Sequence, residues 1–488
     1  MAKLSIHQLF SSPLRVLAAF TGFALLLRFL SFFTSVIDHD ESTYIVIAAA
    51  LLDGKVYWRD VIDTKPIGIF ALFAIFQAIF GKSIIIIRLL TTIWIALTAW
   101  ILYLVHRKLL PASAPDVYNS GPVASGILYV LMTSIFTFFG VSPNTELFFI
   151  LFTVFALWII IKHQHAVWFF LAGLLLGMGF MIKYVVLFDA VALGLFFIWK
   201  QVMERKSWTY WLTRCVWMGI GFLLPVLITW WYYRQLGMED TFMFFTFELS
   251  GRYFHHPPIS NYFVFLLDCF ARYLPITFWF LYCAGKWRVT GPSLPVLSVL
   301  WGGLALIIVL VPGKFFGHYF IQVMAPMSLL AGSFFDRRRE VPKWLRWMRK
   351  PAFIYPALIV LVLINMGFQK ADFIDKRDYP REVAAFLKER LQPGDILYTG
   401  NYHHITYLLT STSSPTPYVH RSLMWDAENI KAINIDQDVE LEKILLQKPR
   451  FILTGKSLPT DNILSSTLAS SYKVIKTFDQ KATVYERR

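Results

Sequence analysis

Apolar runs of about 18 to 22 residues recur along most of this chain, the length a helix needs to cross the roughly 30 Å hydrocarbon layer of a bilayer. No water reaches backbone N–H and C=O groups in that layer, so such runs fold as helices. Eleven spans are predicted, over roughly 14–37, 67–104, 122–140, 146–162, 166–182, 184–199, 211–233, 262–284, 294–311, 318–335 and 351–369. In the second, Gly81, Lys82 and Arg88 interrupt the run, so its membrane part is placed at 84–104 and 67–80 is read as an interfacial lead-in. With 57% hydrophobic residues and only 16% charged ones among 488, the composition agrees.

The net charge of +15 suggests nucleic acid only if its location is ignored. Most of the excess lies in short loops between apolar runs, where cations set topology. With the N-terminus cytoplasmic, the inner loops hold Arg107, Lys108, Lys162, Lys200, Arg205, Lys206, Lys286 and Arg288, and the run 336–350 adds seven Lys/Arg. The opposite loops hold the acids of 38–63, Glu146, Glu239, Asp240 and Glu248. This asymmetry places the C-terminal region outside. The N-terminal apolar run lacks a small-residue cleavage site and reads as an uncleaved first span. Cys215, Cys269 and Cys283 lie in or beside spans and imply no disulfide framework.

From about Ala371 the composition becomes that of a soluble domain. Residues 381–391 have helical spacing, DILYTG (395–400) and RFILTG (450–455) read as short buried strands, and residues 472–488 read as a closing hairpin. The predicted architecture is therefore a polytopic α-helical membrane domain, residues 1–370, followed by a small α/β extracytoplasmic domain, residues 371–488. No phosphate-binding glycine loop or metal-ligand motif stands out in the latter.

The acidic stretch DHDESTYIVIAAALLDGKVYWRDVIDTKP (38–66) is the strongest candidate for chemistry. It carries six carboxylates within 26 residues: Asp38, Asp40, Glu41, Asp53, Asp60 and Asp63. Tyr44, Ile45, Ile47 and 48–52 form an apolar, helix-like patch suited to a membrane surface, and Gly54 stops it. A carboxylate at the outer face serves as a general base towards a hydroxyl or binds a divalent cation. A solvated loop whose acids merely oppose the inside cations is the plainer alternative, as is Asp40 acting as helix N-cap. Lys65, held before Pro66 at the water–lipid boundary, suits a lipid phosphate or simply snorkels.

Glu146, at the mouth of the fourth span, is a functional candidate because ionisable groups in spans are costly; it also suits a helix N-terminus. Arg28, Arg88, Lys183 and Asp189 are further embedded charges, some expected to pair with each other. GRYFHHPP (251–258) and GKFFGHYF (313–320) gather Arg252, His318, Tyr319 and other aromatics in outer loops, as phosphate and sugar recognition would require; interfacial anchoring is the plainer reading.

Taken together, these residues resemble the GT-C membrane glycosyltransferases, in particular the bacterial branch related to protein O-mannosyltransferases and lipid A aminoarabinose transferase. The stretch DESTYIVIAAALLDGKVYWRDVIDTKPIGI followed by FGKSIIIIRLL carries most of the resemblance, with SPNTE, GMGFMIKY and GHYFIQVMAPMSLLAG as weaker segments. The chain departs from the aminoarabinose transferase at Thr43 and Thr64, where that enzyme has arginine and glutamate. The resemblance implies transfer of a sugar, with inversion, from a polyprenyl-phosphate donor to a glycan, lipid or protein acceptor at the outer face of the bacterial cytoplasmic membrane. It implies Asp40 and Glu146 as catalytic acids or as ligands of a divalent cation such as Mg, Mn or Zn. It implies Lys65 for the donor phosphate; Arg252, His318 and Lys183 are candidate helpers, and Glu41, Tyr44 and Tyr319 candidates on the substrate side. Two rival classes are a polytopic transporter and a non-catalytic envelope assembly protein. The first lacks a repeated half, and the second leaves the acidic stretch unexplained.

Overall fold

Helices form where the apolar runs predict them, but fewer are long enough to span. The computed structural model describes residues 12–110, 120–134, 140–252, 255–286, 293–336, 339–456 and 462–488. Residues 135–139 of the third expected span, Tyr253 and Phe254 of GRYFHHPP, Arg288, Arg337 and Arg338 lie outside the described residues. Among the described residues, seven helices are long and apolar enough to cross a membrane, and eight if one bent pair counts as a span.

That pair, Ile259–Arg272 and Leu274–Gly285, bends by 95° where the sequence predicts one straight span. The break falls at Tyr273, just before a proline in the first turn of the second helix, where no N–H continues the ladder. Ile67–Phe80, Ser120–Met132 and Ala166–Phe180 have 14, 13 and 15 residues, or about 20–23 Å at 1.5 Å per residue. The run expected to span 318–335 is an 11-residue helix, Ile321–Ala331, between two 3-10 turns. Each of the eleven expected runs holds at least one described helix, and seven or eight of them pass as full spans on length and composition.

The chain forms two compact units interleaved in sequence, and the soluble-looking tail groups with an early segment. One unit comprises 1–30, 88–239 and 254–370; the other comprises 31–87, 240–253 and 371–488.

In the first unit, helix Ala166–Phe180 crosses helix Trp208–Gln235 at backbone distance. A Cβ on Gly173 would lie 1.9 Å from the Met218 carbonyl oxygen, and one on Gly221 2.0 Å from that of Phe170. Small residues are what allow such an approach between membrane helices, where lipid removes the hydrophobic drive. Arg28, fully buried, donates to Thr92 Oγ1 and to the carbonyls of Thr133, Gly140 and Val141. It thereby fixes the turn that leads into Glu146.

In the second unit, the C-terminal four-stranded sheet has the order β1 (Leu397–Tyr398), β2 (Phe451–Gly455), β4 (Ala482–Arg487), β3 (Tyr472–Phe478). β1 and β2 run parallel, and the expected hairpin of β3 and β4 adds antiparallel to β2. Tyr398, Leu441, Ile444, Ile452 and Leu464 form its apolar core. The three cysteines are free.

Candidate active site

The acidic stretch folds as helix His39–Leu52, a clamped loop, and the start of helix Ile67–Phe80. Asp38, not Asp40, is the N-cap: its carboxylate accepts from Asp40 N at 2.6 Å. Asp40 therefore stands in the first turn, with its side chain released from capping. Gly54, at φ 84°, ends the helix, and its N–H and that of Lys55 close back on Leu51 and Ala50 carbonyls. Only glycine takes that left-handed position without strain.

The helix does not rest on a surface. Its first half is buried, and Tyr44 packs edge-on against Phe70 and Phe73 of the next helix. The loop beyond is held by its own aromatics. Tyr57 Oη donates to the carbonyls of Asp63 and Lys65, Trp58 Nε1 donates to Asp63 O, and the Trp58 ring stacks on Phe245 at 5.0 Å.

That clamp delivers Lys65 to Asp40. The ammonium lies 3.2 Å from Asp40 Oδ1 and 3.4 Å from Asp63 Oδ1, with the Tyr44 ring 5.3 Å away. Tyr44 Oη donates to the other oxygen, Asp40 Oδ2, at 3.3 Å. Asp63 is buried and also accepts from Lys65 N at 3.1 Å, which fixes where the lysine starts. Asp40 and Lys65 side chains keep 20% and 19% of their surface exposed, so a ligand can reach them. Glu41 is buried in the same turn.

Four histidines surround this group. The Ile62 N–H donates to the Pro417 carbonyl, joining the loop to the C-terminal segment and bringing His420 Nε2 to 3.5 Å from Asp40 Oδ1. His39 stacks on His403 at 4.8 Å, and His404 Nε2 reaches Thr43 Oγ1 at 2.9 Å and the His39 carbonyl at 3.1 Å. Burial drives His39 down to about 3 and His403 down to about 4, and holds His404 and His420 below the ordinary histidine range. All four are therefore neutral near pH 7. Asp38 moves the opposite way, up to about 7, through burial first and the Asp40 charge second.

Sequence reading missed these histidines. Their signals, the pair at 403–404 and His420 beside Arg421, sit in a region that carries no recognisable motif.

Glu146, Lys183, His318 and Tyr319 lie in the other unit. Glu146 is buried, receives the Thr145 hydroxyl at 3.0 Å and pairs with Lys183, whose ammonium sits 4.1 Å over the Tyr319 ring. His318 stacks on Phe316 and meets Tyr319 edge-on. Asp189 takes three neutral donors, from Thr153, Trp301 and Gln322. The expected pairing among embedded charges thus gives way to one lysine on Glu146, an arginine on carbonyls and an acid on neutral groups. Arg252 stands exposed beside Glu248 at 3.8 Å and covers Phe244.

Among the described residues, no three His, Cys, Asp or Glu side chains are placed to hold a metal ion. Asp40 and Glu146, the expected ligands, each face a lysine ammonium in a different unit.

A family model described as dolichyl-phosphate-mannose-protein mannosyltransferase matches residues 64–233. The structure matches ArnT from Cupriavidus metallidurans bound to undecaprenyl phosphate, with a TM-score of 0.67 over 96% of this chain and 97% of that one, at 15% identity. The chain shares the fold of that ArnT. The apo state of the same ArnT gives a TM-score of 0.66 with the same identity and coverage. The Archaeoglobus fulgidus oligosaccharyltransferase in complex with zinc and sulfate gives 0.46 at 13% identity, over 90% of this chain and 68% of that one. No curated protein matches the chain in sequence.

Proposed function

We propose that this chain transfers a sugar from a polyprenyl-phosphate donor to a hydroxyl acceptor at the outer face of the bacterial inner membrane, with inversion. The observation that carries the reading is the Asp40–Lys65–Asp63 group on a GT-C fold. In the reaction, the acceptor oxygen attacks the anomeric carbon as the bond to the phosphate oxygen breaks. Asp40 takes the acceptor proton, and polyprenyl phosphate leaves as the anion.

Asp40 suits the base because its carboxylate is paired with the adjacent ammonium, oriented through both oxygens and still open to a ligand. Lys65 suits the phosphate because it is a cation fixed from two sides near water, where developing negative charge is stabilised without reorganisation. Tyr44 and Glu41 line the same turn. Lys183, held by Glu146 beside Tyr319, and the exposed Arg252 are the further cations proposed for phosphate recognition. The N-terminus faces the cytoplasm and the C-terminal segment the opposite side, a reading supported by the cations of 336–350 against the acids of 38–63.

The test is reconstitution of the purified protein in liposomes with a radiolabelled polyprenyl-phosphate sugar and a candidate acceptor. Label moving covalently to acceptor supports transfer. Label crossing the bilayer unchanged points to a transporter, and no movement of label to any lipid, glycan or protein acceptor overturns the reading.

A further inference from the structure

His420, from the C-terminal segment, faces the proposed base, and its other ring nitrogen reveals which way its proton faces. His420 Nδ1 accepts from the Ser422 backbone N–H at 3.1 Å. A backbone N–H can only donate, so Nδ1 carries a lone pair there. A neutral imidazole with a bare Nδ1 has its proton on Nε2. The Ser422 hydroxyl, 2.6 Å from the same nitrogen, consequently donates as well. Burial lowers the pKa of this imidazole, which keeps it in the single-proton form near neutral pH. Nε2 is the atom that faces Asp40 Oδ1, at 3.5 Å.

We infer that His420 is a positioning residue for the reaction: the Ser422 contacts fix its tautomer, and its Nε2–H then orients the Asp40 carboxylate from the C-terminal segment. The inference rests on Asp40 being the base. A histidine whose one nitrogen is fixed by backbone, and whose other aims at a carboxylate, is a common device for holding a reactive group in register. Here it also gives the C-terminal segment a share in the active site. The Ile62–Pro417 backbone bond lies three residues before His420 and sets its height against the acidic loop. Since Lys65 and His420 both approach Oδ1 while Tyr44 holds Oδ2, loss of His420 leaves Oδ1 to Lys65 among these contacts. The carboxylate can then turn towards the ammonium and away from the acceptor. Such a change slows the chemical step and leaves donor binding alone.

Two amides separate this role from a merely structural one. Glutamine places its N–H₂ near the position of Nε2, whereas asparagine reaches only as far as Nδ1. His420→Gln is expected to keep kcat close to wild type. His420→Asn and His420→Ala are expected to lower kcat by roughly tenfold or more, with KM for the lipid-linked donor unchanged. Asparagine rescuing where glutamine does not would show that the Ser422 contacts alone matter, and would overturn the inference. Equal activity of all three variants, or equal loss in Gln and Asn, would overturn it too. A second measurement needs no active variant: ¹⁵N imidazole shifts of the labelled wild-type protein, with His420 assigned by its disappearance in His420→Gln. A neutral ring protonated at Nε2 is expected, and an Nδ1–H tautomer or an imidazolium at pH 7 would overturn the inference. Failure of the reading beneath it looks different, because Asp40→Asn would then be active whatever stands at position 420.

Discussion

Asp40 and Lys65 are 25 residues apart in sequence and 3.2 Å apart in space, and the loop between them exists to close that gap. Losing the ammonium removes a charged contact worth on the order of 1.5–3 kcal/mol. Lys65→Ala is accordingly expected to lower kcat/KM for the donor about ten- to a hundred-fold while leaving acceptor KM near wild type, read from initial rates in detergent. Unchanged dependence on donor concentration would remove Lys65 from the phosphate. The buried histidines make a separate prediction. Their folded pKa values lie below the unfolded one, so the stability they allow is present above about pH 6.5 and is lost as pH falls towards the folded values. Asp38 works the other way, with its raised pKa costing stability as pH rises towards 7. One acid against four histidines leaves the balance with the imidazoles. Thermal melting in detergent at pH 5 should therefore fall below that at pH 7, and His403→Gln should reduce the difference. Asp40, Lys65 and Tyr44 were legible because their chemistry sits in one dense stretch. The histidines were not, since His404 and Thr43 meet across 361 residues of sequence and a lone histidine has no spacing to betray it. The cap was misread for a smaller reason: Asp38 and Asp40 both precede the apolar pattern, and only backbone geometry separates N-cap from first turn.

Helices were easier to place than to measure. Hydropathy marks where a run is apolar, and each predicted run holds a described helix, yet it does not register where a run bends. The 95° break at Tyr273 and the 3-10 turns flanking Ile321–Ala331 leave the apolar pattern intact while shortening the helix. The strands at Phe451–Gly455, Tyr472–Phe478 and Ala482–Arg487 were legible from short apolar runs and a turn, whereas the joining of the C-terminal segment to the acidic loop was not, because the Ile62–Pro417 backbone bond leaves no pattern. Close packing of Ala166–Phe180 on Trp208–Gln235 yields a sharp test with its own control. At Gly173 a side chain meets the Met218 carbonyl, but at Gly219, on the partner helix, nothing lies within 4 Å. Gly173→Leu is expected to cost at least the roughly 1–3 kcal/mol of ordinary overpacking and to lower the melting temperature or abolish monodisperse protein. Gly219→Leu should leave both near wild type. Equal tolerance at the two positions would mean that the helices do not cross there.

At the scale of the whole molecule, the cations of 336–350 set against the acids of 38–63 make topology testable. Single cysteines at Ser207 and Lys343, in a background without the three native ones, are expected to resist an impermeant thiol reagent in intact cells, while one at the exposed Ser466 should label. Labelling at Lys343 from outside would invert the arrangement. The central claim is narrower than topology: the Asp40 carboxylate takes a proton while sugar leaves a lipid phosphate. Asparagine keeps the size and hydrogen-bonding reach of Asp40, and Asp38 caps the helix in either case, so Asp40→Asn should fold and reach the membrane. The most direct measurement is the rate of label transfer from a polyprenyl-phosphate sugar to acceptor by purified Asp40→Asn beside wild type. A fall of roughly a hundred-fold or more, the usual scale of a general base, is the predicted result; transfer at a near wild-type rate would contradict the account.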